Sequence, residues 1–323
     1  MKIYQKPTWK LVFKILTIVI VLIVVDSISG IVLKKLLYIQ KDGRYFKILY
    51  SLEKTAEDIL IVGSSRAETN FVPEVFEEYS GLSCFNTGRG GQGLPFFRCI
   101  QEAVLNRYSP KVVILNFDDE ILLRKKIKYD YASILLPFYK HHPEIQPILN
   151  KKKKYEKYFA LSNLYAYNSS PLYFFRPFFL KNVDGKTEDK GWKPMNGKMK
   201  MVDGEKTSLS NELEGNPINL EALNELEILI GKFVEAKSKL YITISPKFNR
   251  TLSENISTKK IKELCGKYNA ELFDYSFDKN FVGNKNFFYD KSHLNKEGAM
   301  FFSKELAGDI FSEEKGLYVS TLQ

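Results

Sequence analysis

The longest apolar run in the chain covers residues 11–33, and its unbroken core, residues 15–25, has Thr17 as the only polar side chain. As a helix the whole run is roughly 34 Å long, enough to cross a bilayer. Lys14 near one end can snorkel to the surface, and Asp26 lies nearer the other. The pattern predicts an N-terminal tail (1–10) followed by a transmembrane signal anchor (11–33). The competing reading is a cleaved signal peptide with Ser27-Ile28-Ser29 as the small-x-small site before Gly30. Both readings export the rest of the chain. Lys2, Lys6, Lys10 and Lys14 precede or open the run, but Lys34, Lys35, Lys41, Arg44 and Lys47 come after it, so positive charge alone does not set the orientation. An extracytoplasmic main domain, on a single-pass protein of the cell membrane, rests on a short tail plus one apolar segment acting as an export signal.

After a linker (34–57) the pattern switches between buried-strand runs and amphipathic helical runs, as expected of a three-layer α/β/α fold around a five-stranded, mainly parallel sheet. Strands are expected at 58–63, 82–86, 111–117, 240–244 and 271–275. Pro95 suits a first helical turn, and Phe97, Ile100 and Val104 then share one face. Helical segments at 220–234 and 261–268 precede the fourth and fifth strands. In the last helix Asn295 is the expected N-cap, and Ala299, Phe302, Leu306 and Ile310 form a stripe to pack on the sheet. The domain so defined covers 58–313, ahead of a C-terminal tail (314–323).

The alternation fails over 120–217, which reads as an insertion between the third and fourth strands. Its first half combines Lys151, Lys152, Lys153 and Lys154 with Tyr155, Tyr158, Phe159, Tyr165, Tyr167 and Tyr173, and is expected to form a lid or substrate-binding subdomain. Its second half (182–217) is polar, carries Gly185, Gly191, Gly197, Gly204 and Gly215, and is expected to be a mobile loop. Three readings of the aromatic residues stay open. They stack on sugar rings, with Trp192 and Tyr173 as the positions to test, they rest against lipid headgroups near the anchor, or they form a small satellite core.

Composition narrows the function only a little. The 323-residue chain is 44% hydrophobic, enough for a substantial core, and its +10 formal charge suits an anionic surface or polymer without choosing among membrane, glycan and nucleic acid. No nucleic-acid motif is present, so no nucleic-acid partner is expected, and excess lysine on a solvated surface accounts for the charge. Cys84, Cys99 and Cys265 form no CxxC pair and are odd in number, which argues against a disulfide framework or a cysteine metal site.

The chemistry concentrates in few residues. Of three histidines, His141 and His142 sit in the basic, proline-flanked HHPEIQP stretch, whereas His293 comes three positions after a carboxylate, Asp290. A serine hydroxyl becomes a useful nucleophile when a histidine takes its proton, and that histidine needs a carboxylate to fix its tautomer. Ser64 and Ser65 end the first strand run. In an open parallel sheet the carboxyl ends of the strands share one edge. Ser65 after the first strand, Gly91 after the second, Asp118 after the third, and Asp290 with His293 after the fifth therefore converge on one crevice. Taken singly, each also has a plainer account: serines terminating a strand, an aspartate capping a turn, glycines in a flexible loop.

Together, Gly63-Ser64-Ser65-Arg66, Asn86-Thr87-Gly88-Arg89-Gly90-Gly91 and Asp290-Lys291-Ser292-His293-Leu294-Asn295 resemble the blocks of the SGNH/GDSL hydrolase superfamily, over roughly residues 58–312. The resemblance implies an SGNH/flavodoxin-like sheet, Ser65 as nucleophile (with Ser64 the neighbour a one-residue shift would promote), His293 as general base and Asp290 as its orienting carboxylate. It also implies that the N–H groups of Ser65 and Gly91 face the oxyanion. One block departs: the strand end reads Asn116-Phe117-Asp118-Asp119, placing Asp118 where the family commonly has an oxyanion-binding asparagine. An ionised carboxylate repels an oxyanion, so either two backbone donors suffice, or Asn116 supplies the third, or activity is impaired. Asp118, Arg66 and Asn86 are the expected substrate-binding groups. The implied function is a membrane-anchored serine esterase or O-acyltransferase acting on acylated envelope polysaccharide, with no cofactor or metal. Whether an acyl-transferring membrane partner supplies the substrate stays open, as does the alternative of a polysaccharide-binding or assembly protein without turnover.

Overall fold

Five short strands form one all-parallel sheet: β1 (Ile59–Gly63), β2 (Cys84–Asn86), β3 (Val112–Asn116), β4 (Lys239–Ile244) and β5 (Glu271–Asp274), in the order β2-β1-β3-β4-β5. The computed structural model describes residues 8–168, 175, 179, 190–199, 216–249 and 256–311. Lys2, Lys6, Tyr173, Gly185, Gly204, Gly215 and the C-terminal tail lie outside the described residues.

Alternating residues feed two cores. Leu60, Val62, Val113, Leu115, Leu240 and Ile242 point into one, while Ile59, Ile61, Val112, Ile114 and Tyr241 point into the other. Helices cover both faces, which is why β1 and β3 read as continuous apolar runs. The first core takes α2 (Gly43–Glu53), α5 (Leu94–Leu105), α6 (Leu220–Glu235) and α7 (Ile256–Tyr268). The second takes α3 (Ser65–Asn70), α4 (Pro73–Ser80) and α8 (Lys296–Phe311), whose Ala299, Phe302, Leu306 and Ile310 make the expected stripe. Asn295 caps α8, its Oδ1 accepting from the Gly298 N–H at 2.9 Å.

The chain runs from β1 outward to β2, then back past β1 to β3. That reversal opens a crevice at the carboxyl ends of β1 and β3, the place where such sheets present their reactive loops. Gly63 and Asn116 are partners in this last register pair. A Cβ on Gly63 would lie 2.6 Å from the Asn116 carbonyl oxygen and 2.7 Å from the Ala67 methyl, so only glycine lets the chain leave β1 here and turn at once into α3.

Three expectations are corrected. Residues 34–57 are not a linker: α1 (Thr8–Tyr38) continues past residue 33, and α2 buries Tyr45, Ile48, Leu49 and Leu52 in the first core. Over residues 120–168 the first half of the insertion is a set of short helical turns whose Leu122, Leu135, Phe138, Ile145 and Tyr167 join that same core, making this stretch part of the domain's packing. Within the expected mobile loop, residues 190–199 form a strap. The Lys190 carbonyl accepts from Asn86 N at 2.9 Å, Lys193 N donates to Glu68 O at 2.9 Å, and Met199 N donates to Phe288 O at 2.8 Å. Gly191 approaches so closely that a Cβ would fall 2.1 Å from the Asn86 carbonyl oxygen.

One helix among the described residues, Trp9–Tyr38, is long and apolar enough to cross a membrane. Its first half stands clear of the domain. From Asp26 onward one side docks: the carboxylate of Asp26 accepts from Ser162 Oγ at 2.7 Å and from the N–H groups of Asn163 and Leu164 at 2.9 Å each.

Candidate active site

Ser65 opens α3, immediately after the Gly63-Ser64 turn out of β1. Its Oγ lies 2.8 Å from His293 Nε2, although 228 positions separate the two residues in sequence. The other ring nitrogen, Nδ1, is 2.9 Å from Asp290 Oδ2 and 3.0 Å from Oδ1. Asp290 Oδ1 also accepts from the backbone N–H groups of Ser292 (2.8 Å) and His293 (2.9 Å), so a single tight turn sets the carboxylate against the ring. Burial pushes the Asp290 carboxyl upward, but the His293 ring and these N–H groups outweigh it and hold the group below its ordinary range. The hydroxyl, imidazole and carboxylate form one hydrogen-bonded chain, and all three side chains are half-buried at the crevice mouth. Between the adjacent serines, it is Ser65 whose hydroxyl meets the imidazole.

What holds these distant segments together is Asn70, at the other end of α3. Its Oδ1 accepts from the Leu294 N–H at 3.1 Å and its carbonyl from Ser303 Oγ at 3.2 Å, while that same Ser303 Oγ accepts from Val72 N at 2.9 Å. The helix that carries Ser65 is therefore clipped to the turn that carries His293 and to α8 behind it. Nothing in the sequence marked Asn70 or Ser303, because each has a role only once α3 and α8 lie side by side.

The glycine loop after β2 is set by another buried group. Glu68, one turn along α3 from Ser65, accepts from the Gly90 N–H at 2.8 Å and from Arg89 at 3.1 Å, and lies 3.6 Å from Lys47. Lys47 in turn donates to the carbonyl oxygens of Gly88 and, at 2.6 Å, Gly191. Full burial pushes the Lys47 ammonium down to about 8 in spite of Glu68. Burial also acts on Glu68, yet Lys47, Arg89 and the Gly90 N–H together hold its carboxyl below the usual range. Both shifts describe a buried ion pair with the charges retained. A Cβ on Gly90 would come within 3.6 Å of the Ser65 side chain, which makes Gly90 the glycine packed on the serine. Gly91 comes next at φ +75°, with open space beside it, and its N–H has no protein partner among the described residues.

Other expected site residues divide. Asn86 does not face substrate: its side chain is fully buried, donates to the Ala67 and Phe71 carbonyls at 2.7 and 3.0 Å, and accepts from Gly88 N at 2.9 Å, pinning α3 to the loop. Trp192 is likewise no sugar platform, being buried with its indole N–H on the Thr69 carbonyl at 2.8 Å. Asp118 caps the turn after β3, accepting from Glu120 N at 3.3 Å, and lies 3.7 Å from the Arg66 guanidinium. Against the upward push of burial, Arg66 and Lys247 hold Asp118 below its ordinary value, so it stays ionised beside the site with Arg66 as its counter-charge. Asn116, on the strand end facing Gly63, accepts from Ser245 Oγ, while its buried Nδ2 has no hydrogen-bond partner among the described residues.

No protein-family model matches the chain, and neither does any curated protein. Among solved structures, a gut microbial diltiazem-metabolizing enzyme is similar over 79% of this chain and 48% of its own, at 10% identity and a TM-score of 0.36. The chain thus spans about half the length of that enzyme.

Proposed function

We propose that the protein is a membrane-anchored serine esterase or O-acyltransferase of the SGNH type, whose domain lies outside the cytoplasm and acts on acyl esters of envelope polysaccharide. The observation that carries this reading is the unbroken chain Ser65 Oγ, His293 Nε2, His293 Nδ1, Asp290, with contacts of 2.8 and 2.9 Å. In the first half-reaction Ser65 Oγ attacks the acyl carbonyl as His293 Nε2 takes its proton, and Asp290 stabilises the imidazolium. The negative charge on the carbonyl oxygen is met by the N–H groups of Ser65 and Gly91, with the unpartnered Nδ2 of Asn116 as the third candidate donor. Collapse of the tetrahedral intermediate breaks the ester bond, His293 returns the proton to the leaving alcohol, and an acyl-Ser65 remains. Water then gives hydrolysis, or a sugar hydroxyl gives transfer, with His293 acting as base a second time.

A second reading, a polysaccharide-binding protein without turnover, is favoured by Asp118, a carboxylate where a donor is expected. Arg66 weakens that objection by holding a positive charge 3.7 Å from it. Labelling with a fluorophosphonate, alongside hydrolysis of an aryl acetate and of an acetylated glycan, separates the two. The enzyme reading expects an adduct on Ser65 and acetate release, both abolished in Ser65→Ala. A folded wild-type protein that forms no adduct and releases no acetate would leave the binding reading standing.

A further inference from the structure

We infer that residues 151–164 form a second membrane contact, a basic and aromatic platform seated in the headgroup region of the same bilayer that α1 crosses. Its surface side chains are those that water-facing helices avoid: Tyr155, Tyr158, Phe159, Leu161 and Leu164 are 54%, 59%, 48%, 66% and 47% exposed. Tyr158, Phe159 and Leu164 lie on two short helices, Glu156–Phe159 and Asn163–Tyr167, with Tyr155 at the N-cap of the first and Leu161 in the turn between them. Lysines lie across them, the Lys154 ammonium over the Tyr155 ring at 5.4 Å and the Lys157 ammonium over Tyr158 at 5.0 Å, so cation–π contacts hold positive charge beside exposed rings, where it can meet an anionic lipid phosphate. Amphipathic rings beside lysines are the composition that collects at a membrane interface.

The occupant is fixed by where this surface is tied. Ser162, Asn163 and Leu164 are bound directly to Asp26 of α1, and Gly30 packs so tightly there that a Cβ would sit 2.4 Å from the Asn163 side chain. From Trp9, itself an interfacial residue type, to Asp26 the helix rises about 26 Å, close to the ~30 Å hydrocarbon core. On the opposite side of α1 the exposed apolar residues continue beyond Asp26 through Ile28, Ile31 and Val32. The helix is thus still lipid-facing at the level where the platform attaches, and the platform is held at the outer hydrocarbon boundary. The same arrangement explains Asp26: its charge at that depth is satisfied by the backbone N–H groups of the platform.

The test uses the full chain in phosphatidylglycerol–phosphatidylcholine vesicles, with an environment-sensitive fluorophore on Leu161→Cys and, separately, on Tyr158→Cys. Cys84, Cys99 and Cys265 are buried and leave the introduced thiol as the reactive one. Lipids carrying a nitroxide near the headgroup are expected to at least halve the fluorescence at both positions, and more strongly than lipids with a nitroxide at the acyl terminus. A label on Val19→Cys reports the anchor itself and is expected to show the opposite depth preference. If Val19 is quenched while 158 and 161 remain unquenched and open to aqueous iodide, the platform faces water, a glycan or another protein, and the inference is wrong although the anchor stands. If Val19 is unquenched as well, the anchor reading falls with it.

Discussion

Replacing Glu68 by alanine tests the buried clamp that sets the glycine loop beside Ser65. The substitution leaves Lys47 and Arg89 buried, and deprives the Gly90 N–H of its acceptor at 2.8 Å. Removing one partner of a buried ion pair typically costs about 3–5 kcal/mol, because the remaining charge is left without compensation. Against a total stability of roughly 5–15 kcal/mol this is a large share. Burial holds Lys47 at about 8 even with Glu68 in place, so loss of the carboxylate lowers it further. The sign of the linked pH effect is fixed. Unfolded lysine titrates near about 10.4, so between there and the folded value the unfolded chain holds more protons, and this group's contribution to stability rises with pH. In the wild type that window opens at about 8, and in Glu68→Ala it opens lower. Denaturant unfolding of the detergent-solubilised full chain, monitored through the buried Trp192, measures the cost. The fluorophosphonate labelling rate of Ser65 measures what happens to the glycine loop, and a fall of about a hundredfold is expected if the Gly91 donor loses its position. A midpoint shift worth under about 1 kcal/mol, the scale of an exposed pair, with labelling unchanged would refute the claim that Glu68 fixes the loop.

The geometry yields two further outcomes. Asp290→Asn is expected to slow labelling and hydrolysis by about 10³ to 10⁴ while leaving the protein folded, because the amide oxygen still accepts the backbone N–H groups but its NH₂ then faces His293 Nδ1 and forces the proton onto Nε2; unaltered rates would exclude His293 as the base. His142, 2.6 Å from Glu144 and 3.3 Å from Glu53, has its proton disfavoured by burial but held more strongly by the two carboxylates, so its folded value is raised. That stabilising contribution is fully present below the unfolded value of about 6.5 and is lost as pH rises through the folded one. Melting temperatures taken from pH 6 to 8 are expected to fall in the wild type and to be flatter in His142→Gln.

The sheet was readable because its central strands β1 and β3 are buried on both faces and so appear as short aliphatic runs between glycine and polar turns. His293 and Asp290 were readable for a different reason: histidine is scarce in this chain, and the carboxylate three positions earlier is a local pattern. The helix α2 had a signal too, since Tyr45, Ile48, Leu49 and Leu52 keep a helical spacing of three and four, although in sequence the stretch reads as a linker. Asn86 misled in the opposite direction, because a conspicuous polar residue within a glycine motif turned out to pin backbone.

Lys47, Glu68 and Asn70 left no signal at all, and the reason is physical. Each acts through contacts that exist only after distant segments have packed, such as Asn70 with Leu294 across 224 positions or Lys47 with Gly191 across 144. A charged residue on a short helix is most often solvated, so neither its type nor its spacing separates a buried clamp from a surface group. Yet these clamps decide whether Ser65 meets His293. The two come from opposite ends of the domain, and a misplacement of about 1 Å is enough to break a 2.8 Å contact. Asn70 fixes α3 against the histidine turn, Glu68 fixes it against the glycine loop, and the strap at 190–199 closes over both through Trp192 on Thr69 and Lys193 on Glu68. With three independent attachments on a six-residue helix, the serine's position is set by more constraints than it has ways to move. Such over-determination is what a preorganised nucleophile requires and what a mere strand-ending serine does not.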